Sequence, residues 1–471
     1  MIAELEPYPA MKDSGVPWLA DVPEHWEVRK LKYVVAFSGG GTPSKAEASY
    51  WVGRIPWVSP KDMKGSVISS SADHITEEAV AASATSIVSS GALLMVVRSG
   101  ILRRTIPVGI NSVDVALNQD MKALHPRTDL VSAQYLRFLV QGNEEALIRE
   151  WTKQGATVES IEHEYLSNSR VPLPPPPEQA SIVRFLNHAD RRIRRYIRAK
   201  QKLIKLLEEH KQVIIHRAVT GGLDPNVRLK PSGVEWLGDV PEHWEIRRNG
   251  RLFAQRNETG FPKLPILEVS LKTGVRVRDF ASSDRKQVMS DREKYKRAAA
   301  GDIAYNMMRM WQGAVGIAPV DGLVSPAYVV ARALPGVEPR YFAHLFRIPA
   351  YMEEVDKYSR GIVKDRNRLY WEDFKQIPSC YPPFPEQVAI AEAITELAVG
   401  IDAVVAQVRR QISFVREYRT RLIADTVTGK FDVRGAATQL PAEPEEPEPL
   451  DKAATDVEQD EADGSLEEIQ V

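Results

Sequence analysis

A tryptophan-containing phrase occurs twice in this chain and constrains its fold more than any other feature. Residues 14–29 read SGVPWLADVPEHWEVR and residues 232–247 read SGVEWLGDVPEHWEIR, with 13 of 16 positions identical at a separation of 218 residues. We refer to both as anchor phrases. Self-similarity over so long a period indicates a duplicated structural unit. The sequence therefore predicts two half-units in tandem.

A second repeated segment supports this interpretation. PPEQASIVRFL begins at Pro176 and FPEQVAIAEAI begins at Phe384. Glu178 aligns with Glu386 at a separation of 208 residues, and no insertion is needed before both segments reach V-T-G. Each half-unit thus consists of an anchor phrase, a variable block, a proline-rich hinge and a long segment.

The long segments have the spacing of coiled-coil helices, with apolar residues at alternating steps of four and three. Of 20 such positions, 17 are apolar or tyrosine; Lys200, His210 and Gln411 interrupt the series, as register-setting polar positions or snorkelling side chains rather than as ligands. Each helix needs a partner for its apolar stripe, and the other copy, packed parallel or antiparallel, is the simplest one. The predicted seam residues are Ile182, Leu186, Ile193, Leu203, Leu207, Ile214, Ile390, Ile394, Leu397, Ile401, Val404, Val408, Val415 and Leu422.

Both helices have recognisable ends. Pro177 and Pro385 fit the first helical turn, where a missing N–H costs nothing. Gly221 and Gly429 fit the C-cap, where a left-handed backbone conformation favours glycine.

The variable blocks have a different pattern, which predicts strands, turns and short helices. Short apolar runs such as GALLMVV and GDIAYNMM are bounded by Gly, Pro, Asn and Asp. The predicted fold class is α+β, with two tandem half-units that each place a globular domain before a long helix. The predicted segments are 1–31 (anchor), 32–171 (first globular domain), 172–222 (hinge and central helix), 223–248 (second anchor), 249–378 (second globular domain), 379–434 (hinge and C-terminal helix) and 435–471 (disordered acidic tail).

The charge is unevenly distributed along the chain. The net charge is −1, but residues 441–471 hold 12 acidic residues and one lysine, so the other 440 residues carry +10. A Pro/Glu-rich segment almost without aromatic residues is expected to be disordered. A solvating tail is the default interpretation, and a tail that screens the basic body by mimicking DNA is the alternative.

No motif for catalysis or cofactor binding is found. The chain lacks a G-x-x-x-x-G-K-[ST] loop, Cys380 is its single cysteine, and its 9 histidines are scattered without ligand spacing. SPAY at 325–328 is interpreted as a strand-edge turn, and SGGGTPS at 38–44 as either a turn or a loop near a DNA backbone. Because these motifs are missing, we expect no catalytic or metal site. Because no secretory signal or membrane-length apolar stretch is seen, we expect a cytoplasmic protein.

Basic side chains of the variable blocks are the candidate nucleic-acid contacts, because Lys and Arg neutralise phosphates and can read base edges. For any one of them, an ordinary surface charge is the alternative. A separate run, RRIRRYIRAKQK at 191–202, fits a track for the DNA backbone, a polar helix face or a docking strip for a partner. The block candidates are Lys45, Lys61, Lys64, Arg98, Arg103, Arg104, Lys153, Arg276, Arg278, Arg309, Lys364, Arg366 and Arg368.

These features together resemble the specificity (S) subunits of type I restriction–modification systems. The resemblance covers residues 14–434 and includes the anchor phrases, GGGTPSKAEASYWVGRIPWVSPKDM at 39–63, the PPEQ and FPEQ hinges, and the AVTGGLD and TVTGKFD helix ends. It implies two target-recognition domains, each reading one half of a split, asymmetric DNA sequence. It also implies that the two long helices form an antiparallel intramolecular coiled coil that sets the gap between the half-sites.

The resemblance further implies the partners. Double-stranded DNA, two modification (methyltransferase) subunits and, in the full complex, two restriction subunits are expected. S-adenosylmethionine, ATP and Mg²⁺ then belong to the partners, which methylate adenine at N6 or cleave DNA. This chain is expected to bind no cofactor and not to be the catalyst.

Three alternatives to this interpretation remain: a methylation-only system of the same architecture, a self-contained nuclease or methyltransferase, and a structural coiled-coil dimeriser.

The anchor phrase itself has two explanations. Its tryptophans clamp each domain to the long helices or to a modification subunit, or they pack in the core; they are Trp18, Trp26, Trp236 and Trp244.

Overall fold

The structure is a computed structural model that describes residues 5–153, 159–271, 273–278, 292–361 and 367–441. The chain divides into two compact units, the first formed by residues up to Arg198 and from Gln411 onward, the second by Ala199–Arg410. Both boundaries fall inside the longest helices, Pro176–Gly221 and Phe384–Val427. Each unit therefore combines one variable block with half of each long helix.

The first unit is built on two sheets. Its helices are α1 (Glu77–Ala81), α2 (Ala133–Gly142), α3 (Glu144–Trp151), α4 (His163–Asn168) and the N-terminal half of α5 (Pro176–Gly221). Its strands are β1 (Met11–Asp13), β2 (Asp21–Pro23), β3 (Glu27–Lys30), β4 (Val35–Gly39), β5 (Ile55–Val58), β6 (Val67–Ile68), β7 (Asp73–Ile75), β8 (Ile87–Val88), β9 (Leu93–Val96), β10 (Val108–Asn111), β11 (Val115–Leu117), β12 (Met121–Pro126) and β13 (Arg170–Leu173). The sheet orders are β4-β12-β9-β10-β6 and β7-β5-β11-β8.

Strand β9 lies at the centre of the first unit because both of its faces are buried. Leu93 and Met95 point into a core that contains Phe138 of α2 and Trp151 of α3. Leu94 and Val96 point into a second core, between the sheets. Alternating side chains of a strand face opposite sides, so one apolar run fills two cores.

The second unit repeats this plan in shorter form. Its strands are β14 (Leu229–Pro231), β15 (Asp239–Pro241), β16 (Glu245–Arg248), β17 (Phe253–Arg256), β18 (Leu267–Ser270), β19 (Gly274–Val277), β20 (Lys296–Ala298), β21 (Ile303–Asn306), β22 (Val315–Ile317), β23 (Gly322–Val324), β24 (Tyr328–Ala333) and β25 (Pro378–Tyr381). Its helices are α6 (Pro339–Leu345), α7 (Pro349–Tyr358), α8 (Trp371–Phe374) and the N-terminal half of α9 (Phe384–Val427). The main sheet has the order β17-β24-β21-β22, and β21 is the doubly buried strand. The predicted α+β class and both long helices are confirmed.

A two-stranded ribbon closes each variable block. Strand β3 of the first anchor phrase pairs antiparallel with β13, which directly precedes α5. Strand β16 of the second anchor phrase pairs in the same way with β25, which precedes α9. The chain thus enters and leaves each block through neighbouring strands, which explains why the anchor phrase and the hinge are repeated together. Apart from the start of the tail, the division into seven segments stays a prediction.

The helix ends agree with the prediction except for a shift of one residue in α5. Gly429 has φ +80° and follows α9 as predicted, whereas in α5 the left-handed glycine is Gly222, with φ +79°. Gly221 is the last residue of α5 itself.

The predicted start of a disordered tail at residue 435 is wrong. Helix α10 (Arg434–Thr438) follows α9, and its Ala437 is only 2% exposed. The apolar pattern of Val433, Ala436 and Ala437 packs against the core of the first unit. Residues 442–471, most of the predicted tail, lie outside the described residues.

The buried stripe of the long helices differs from the predicted seam at one position in each helix. Leu203 and Val404 are 38% and 45% exposed, so the prediction is wrong there. The next residue faces inward instead: Val405 is 7% exposed and Ile204 is half-buried. Both sites are pairs of adjacent apolar residues, so sequence spacing fits either member and packing selects the second.

The other predicted seam positions have lower exposure. Ile182, Leu186, Ile390, Ile394, Val408 and Leu422 are buried, and Ile193, Leu207, Ile214, Leu397, Ile401 and Val415 are half-buried. Two of the predicted interruptions, Lys200 and Gln411, are also half-buried, and His210 is exposed.

Candidate nucleic-acid interface

Trp26 of the first anchor phrase is fully buried and is held by the first turn of α5. Its Nε1 donates to Glu178 Oε1 at 3.0 Å, and His25 Nε2 lies 2.9 Å from Glu178 Oε2. The Tyr8 hydroxyl also donates to Glu178, and burial beside this carboxylate raises the pKa of Tyr8. Glu178 therefore serves as a common acceptor that fixes the anchor phrase to the start of the helix.

The second anchor phrase repeats this junction with fewer donors. Trp244 is fully buried, and its Nε1 donates to Glu386 Oε2 at 3.0 Å. His243 Nε2 lies 2.8 Å from the same oxygen. The carboxylate side chain of Glu386 is 28% exposed against 5% for Glu178. The first junction is therefore the more buried of the two.

The glutamine that follows each glutamate joins the helix to the preceding domain. Gln179 Nε2 donates to Leu130 O at 2.7 Å, and its Oε1 accepts from Ser132 N at 3.0 Å, at the start of α2. Gln387 Nε2 donates to Pro382 O at 2.8 Å, and its Oε1 accepts from Glu338 N at 2.9 Å, at the start of α6. The repeated P-E-Q sequence is thus explained by two adjacent contacts: its glutamate binds the anchor phrase and its glutamine binds the preceding domain.

Each anchor tryptophan also contacts the end of the other long helix. A Cβ on Gly429 would lie 2.3 Å from Pro23 and 3.1 Å from Trp26. A Cβ on Gly222 would lie 3.4 Å from Trp244. Within each unit, the tryptophan therefore lies where one long helix begins and the other ends. This explains why the phrase occurs once per half-unit.

Of the two explanations for the anchor tryptophans, burial favours packing and attachment to the helices. Trp26 and Trp244 are 0% exposed, so neither presents a surface to another subunit. Trp18 and Trp236 are half-buried and pack against the same cores.

Four of the predicted basic residues come together in the first unit, around the loop that follows β9. Ile161 N donates to Val97 O at 2.8 Å, and Arg98 forms a β-bridge with Ser160. Arg103 pairs with Glu159 at 3.0 Å. Among the residues that the structure describes, the side chains with no carboxylate partner within 4 Å include Arg98, Arg104 and Lys153, all of them exposed. We call this set, Arg98, Arg103, Arg104 and Lys153, the first basic loop surface.

The second unit has an equivalent loop after β21. Leu369 N donates to Met307 O at 2.8 Å, and Arg368 forms a β-bridge with Arg360. Arg309 lies in the same loop and is half-buried, whereas Arg360 and Arg368 are exposed. We call Arg309, Arg360 and Arg368 the second basic loop surface. Lys364 and Arg366, also predicted for DNA contact, lie outside the described residues.

Sequence analysis did not single out Arg360, because its position beside Arg368 follows from a β-bridge between segments that leave no periodic signal in the sequence. The guanidinium of Arg360 pairs with Asp373, and its side chain remains 76% exposed. The acceptors Glu178 and Glu386 were likewise seen only as hinge residues, because their partners are about 150 residues away in sequence.

The remaining predicted contacts are not brought into these surfaces. Lys45 and Lys64 are exposed near the ends of β4 and β5, and Lys61 pairs with Asp73 at 2.8 Å, a hydrogen bond that raises the pKa of Lys61. Arg276 pairs with Glu268 across β18 and β19, and Arg278 is half-buried. These positions stay predictions as DNA contacts.

Two loops that were interpreted from sequence have structural explanations. In SGGGTPS, a Cβ on Gly40 would lie 2.0 Å from Asn118 O, so close backbone packing requires glycine there. SPAY forms a turn between β23 and β24, in which Tyr328 N donates to Ser325 O at 2.9 Å, as predicted. Within the described part of the chain, no helix combines the length and apolar character needed to cross a membrane.

Comparison with known proteins identifies related chains. Residues 23–206 match the family model of the type I restriction modification DNA specificity domain. The chain is 38% identical over 165 residues to the type I restriction enzyme EcoR124I/EcoR124II specificity subunit of Escherichia coli, covering 35% of this chain and 41% of that protein. It is 26% identical over 257 residues to the MjaIX specificity subunit of Methanocaldococcus jannaschii, covering 53% of this chain and 56% of that protein.

A solved structure extends the likeness of the fold beyond these aligned regions. It was described in a study of complex assembly and conformational transition of the type I R-M system, and it covers 87% of this chain and 99% of its own, with a TM-score of 0.63 and 15% identity. The chain spans about half the length of the curated relatives above, 41% and 56% respectively. Residues 23–206 are therefore similar to the type I restriction modification DNA specificity domain, and the chain resembles specificity subunits of these systems.

Proposed function

We propose that this chain is the DNA sequence-recognition subunit of a type I restriction–modification complex, and that it binds a bipartite, asymmetric double-stranded target. The observation that carries the proposal is the pair of equivalent loops after β9 and β21, which present different basic side chains on the same frame. Arg98 and Arg103 occupy the first loop, whereas Arg309 occupies the second. Each loop would read one half-site, with Arg reading base edges or contacting phosphates.

The long helices set the distance between the half-sites in this proposal, as an antiparallel intramolecular coiled coil. Support comes from ion pairs between α5 and α9. In the second unit, Glu208 pairs with Arg409 at 3.5 Å and Lys211 with Asp402 at 2.8 Å, so partner numbers fall along α9 as they rise along α5. In the first unit, Asp190 of α5 pairs with Arg419 of α9.

Catalysis is assigned to partner subunits. Methylation of adenine N6 requires the base to be flipped into a pocket that also holds the methyl donor. We propose two modification subunits that supply this pocket and bind S-adenosylmethionine, and two restriction subunits that use ATP and Mg²⁺. A methylation-only complex of the same architecture differs only in lacking the restriction subunits, so the genes beside this one distinguish the two.

The proposal is tested by exchanging one variable block and mapping methylated adenines. Residues 32–169 are replaced with the corresponding block of a relative, which leaves β3 and β13 and their ribbon intact. After co-expression with the modification subunit, we expect one half of the methylated sequence to change and the other half and the spacing to stay as they were. The readout is single-molecule sequencing of methylated genomic DNA.

A matched exchange of residues 249–377, which leaves β16 and β25 intact, should change the other half instead. If either exchange altered both halves, separate reading by the two units would be wrong. Methylation by the purified chain alone, without a modification subunit, would favour a self-contained enzyme.

A further inference from the structure

The end of the described chain lies beside α5. The Arg184 guanidinium donates to Leu440 O at 2.7 Å and to Pro441 O at 3.4 Å. Asp432 N donates to Glu6 O at 2.9 Å, and Arg434 lies over the Tyr8 ring, so residues 430–441 are fixed to the first unit. Whatever follows Pro441 therefore starts from a defined point on α5.

The surface next to this point is strongly basic. Arg191, Arg192, Arg194, Arg195 and Arg198 follow Arg184 on the same helix, all within the first unit, and we call them the α5 arginine face. Within this face, Arg194 donates to Asp190 at 2.8 Å, and Asp190 also pairs with Arg419. Five arginines within eight residues make an electrostatic surface that favours anions.

The chain that starts there has the opposite charge. Residues 442–471 contain 12 acidic residues and one lysine, a net charge of −11. Four of the acidic residues, at 443, 445, 446 and 448, come within the first seven positions. An extended chain spans about 3.3 Å per residue, so these carboxylates reach roughly 7–23 Å beyond Pro441. The arginine face lies about 10–21 Å from Arg184 along the helix, at 1.5 Å per residue.

We propose that residues 442–471 dock on the α5 arginine face of their own chain, with the carboxylates at 443–448 opposite the arginines, and compete there with DNA phosphates. Because the tail is tethered beside its site, its effective concentration is in the millimolar range. Non-specific DNA binding depends on such phosphate contacts and is weakened when they are lost. The tail thus disfavours non-specific DNA, a role that rests on the proposed DNA-binding function.

Disulfide trapping tests the docking without DNA. Glu446 lies five residues after Pro441, a reach of roughly 17 Å, and Arg195 lies roughly 16 Å along α5 from Arg184. The double variant E446C/R195C is expected to form an intramolecular disulfide under mild oxidation at least about 10-fold faster than the control D460C/R195C. The native Cys380 is 0% exposed and does not compete. Equal rates for both pairs would overturn the docking.

DNA affinity tests the competition. The full chain with E443Q, E445Q, E446Q and E448Q should bind a duplex without a target site about 3- to 10-fold more tightly at low salt, and with a steeper salt dependence. The control with D456N, E458Q, D460N and E461Q loses the same charge farther from the tether and should change affinity less than about 2-fold. Equal effects of both sets would overturn local competition. If no variant binds DNA, the proposed function fails, whereas the trapping result still decides the docking.

Discussion

Replacing Glu178 with alanine should lower the free energy of unfolding of the first unit by about 2–5 kcal/mol, because it leaves the buried donors of Tyr8 and Trp26 without an acceptor. Both side chains are buried in the surrounding core and cannot turn toward water, whereas His25 is exposed and can be solvated. Chemical denaturation followed by tryptophan fluorescence measures the loss, and hydrogen exchange assigns it to the first unit. The equivalent E386A variant should cost the second unit less, about 1–3 kcal/mol, because only the Trp244 donor is buried and the Glu386 side chain is 28% exposed.

The anchor phrases offer a matched control. Glu24 and Glu242 occur in the same repeated sequence, two residues before each tryptophan, but both are exposed. E24A and E242A should therefore stay within about 0.5 kcal/mol of the parent chain. If E178A were as mild as E24A, the carboxylate would not be the element that holds the anchor phrase to α5.

The comparison of these glutamates shows what sequence can predict about the junctions. The repeat marked Glu24 and Glu178 equally, since both recur in the second half. Only the fold distinguishes them, because the donors of Glu178 lie about 150 residues away and meet it through the ribbon of β3 and β13. The repeat therefore predicts that a contact exists in both halves, but not which atoms make it.

The basic surfaces show a related limit. Charge alone selected the basic residues predicted to contact DNA. They therefore included Arg276 and Lys61, which pair with nearby carboxylates, together with Arg98 and Arg368. Pairing of the loop after β9 with residues 159–161 selects the members that share a surface. Such pairing depends on distant segments and leaves no periodic signal in the sequence. The long helices differ in this respect, because their periodicity is local and predicts both helices.

Periodicity fails, however, where two apolar residues are adjacent, and this gives the sharpest test of the helix register. V405E should destabilise the second unit by about 3 kcal/mol or more, because it places a charge at a position that is 7% exposed. V404E introduces the same side chain one residue earlier, where the exposed fraction is 45%, and should cost less than about 1 kcal/mol. Chemical denaturation of both variants measures the difference. The reverse order would restore the seam expected from sequence spacing.

The α5 side of the same register provides an independent check. I204E should be more destabilising than L203E, since Ile204 is half-buried and Leu203 is 38% exposed. The four variants together separate the two possible seams, because Val404 and Val405 are the same residue type, and helix propensity alone would make L203E, not I204E, the more costly change. Pairing of the helices requires that the buried position shift by one residue in both α5 and α9, because their apolar stripes can contact each other only if both stripes face inward. If the order held for α9 and failed for α5, the buried stripe of α5 would not face α9. The two helices would then not form the proposed coiled coil that sets the distance between the half-sites.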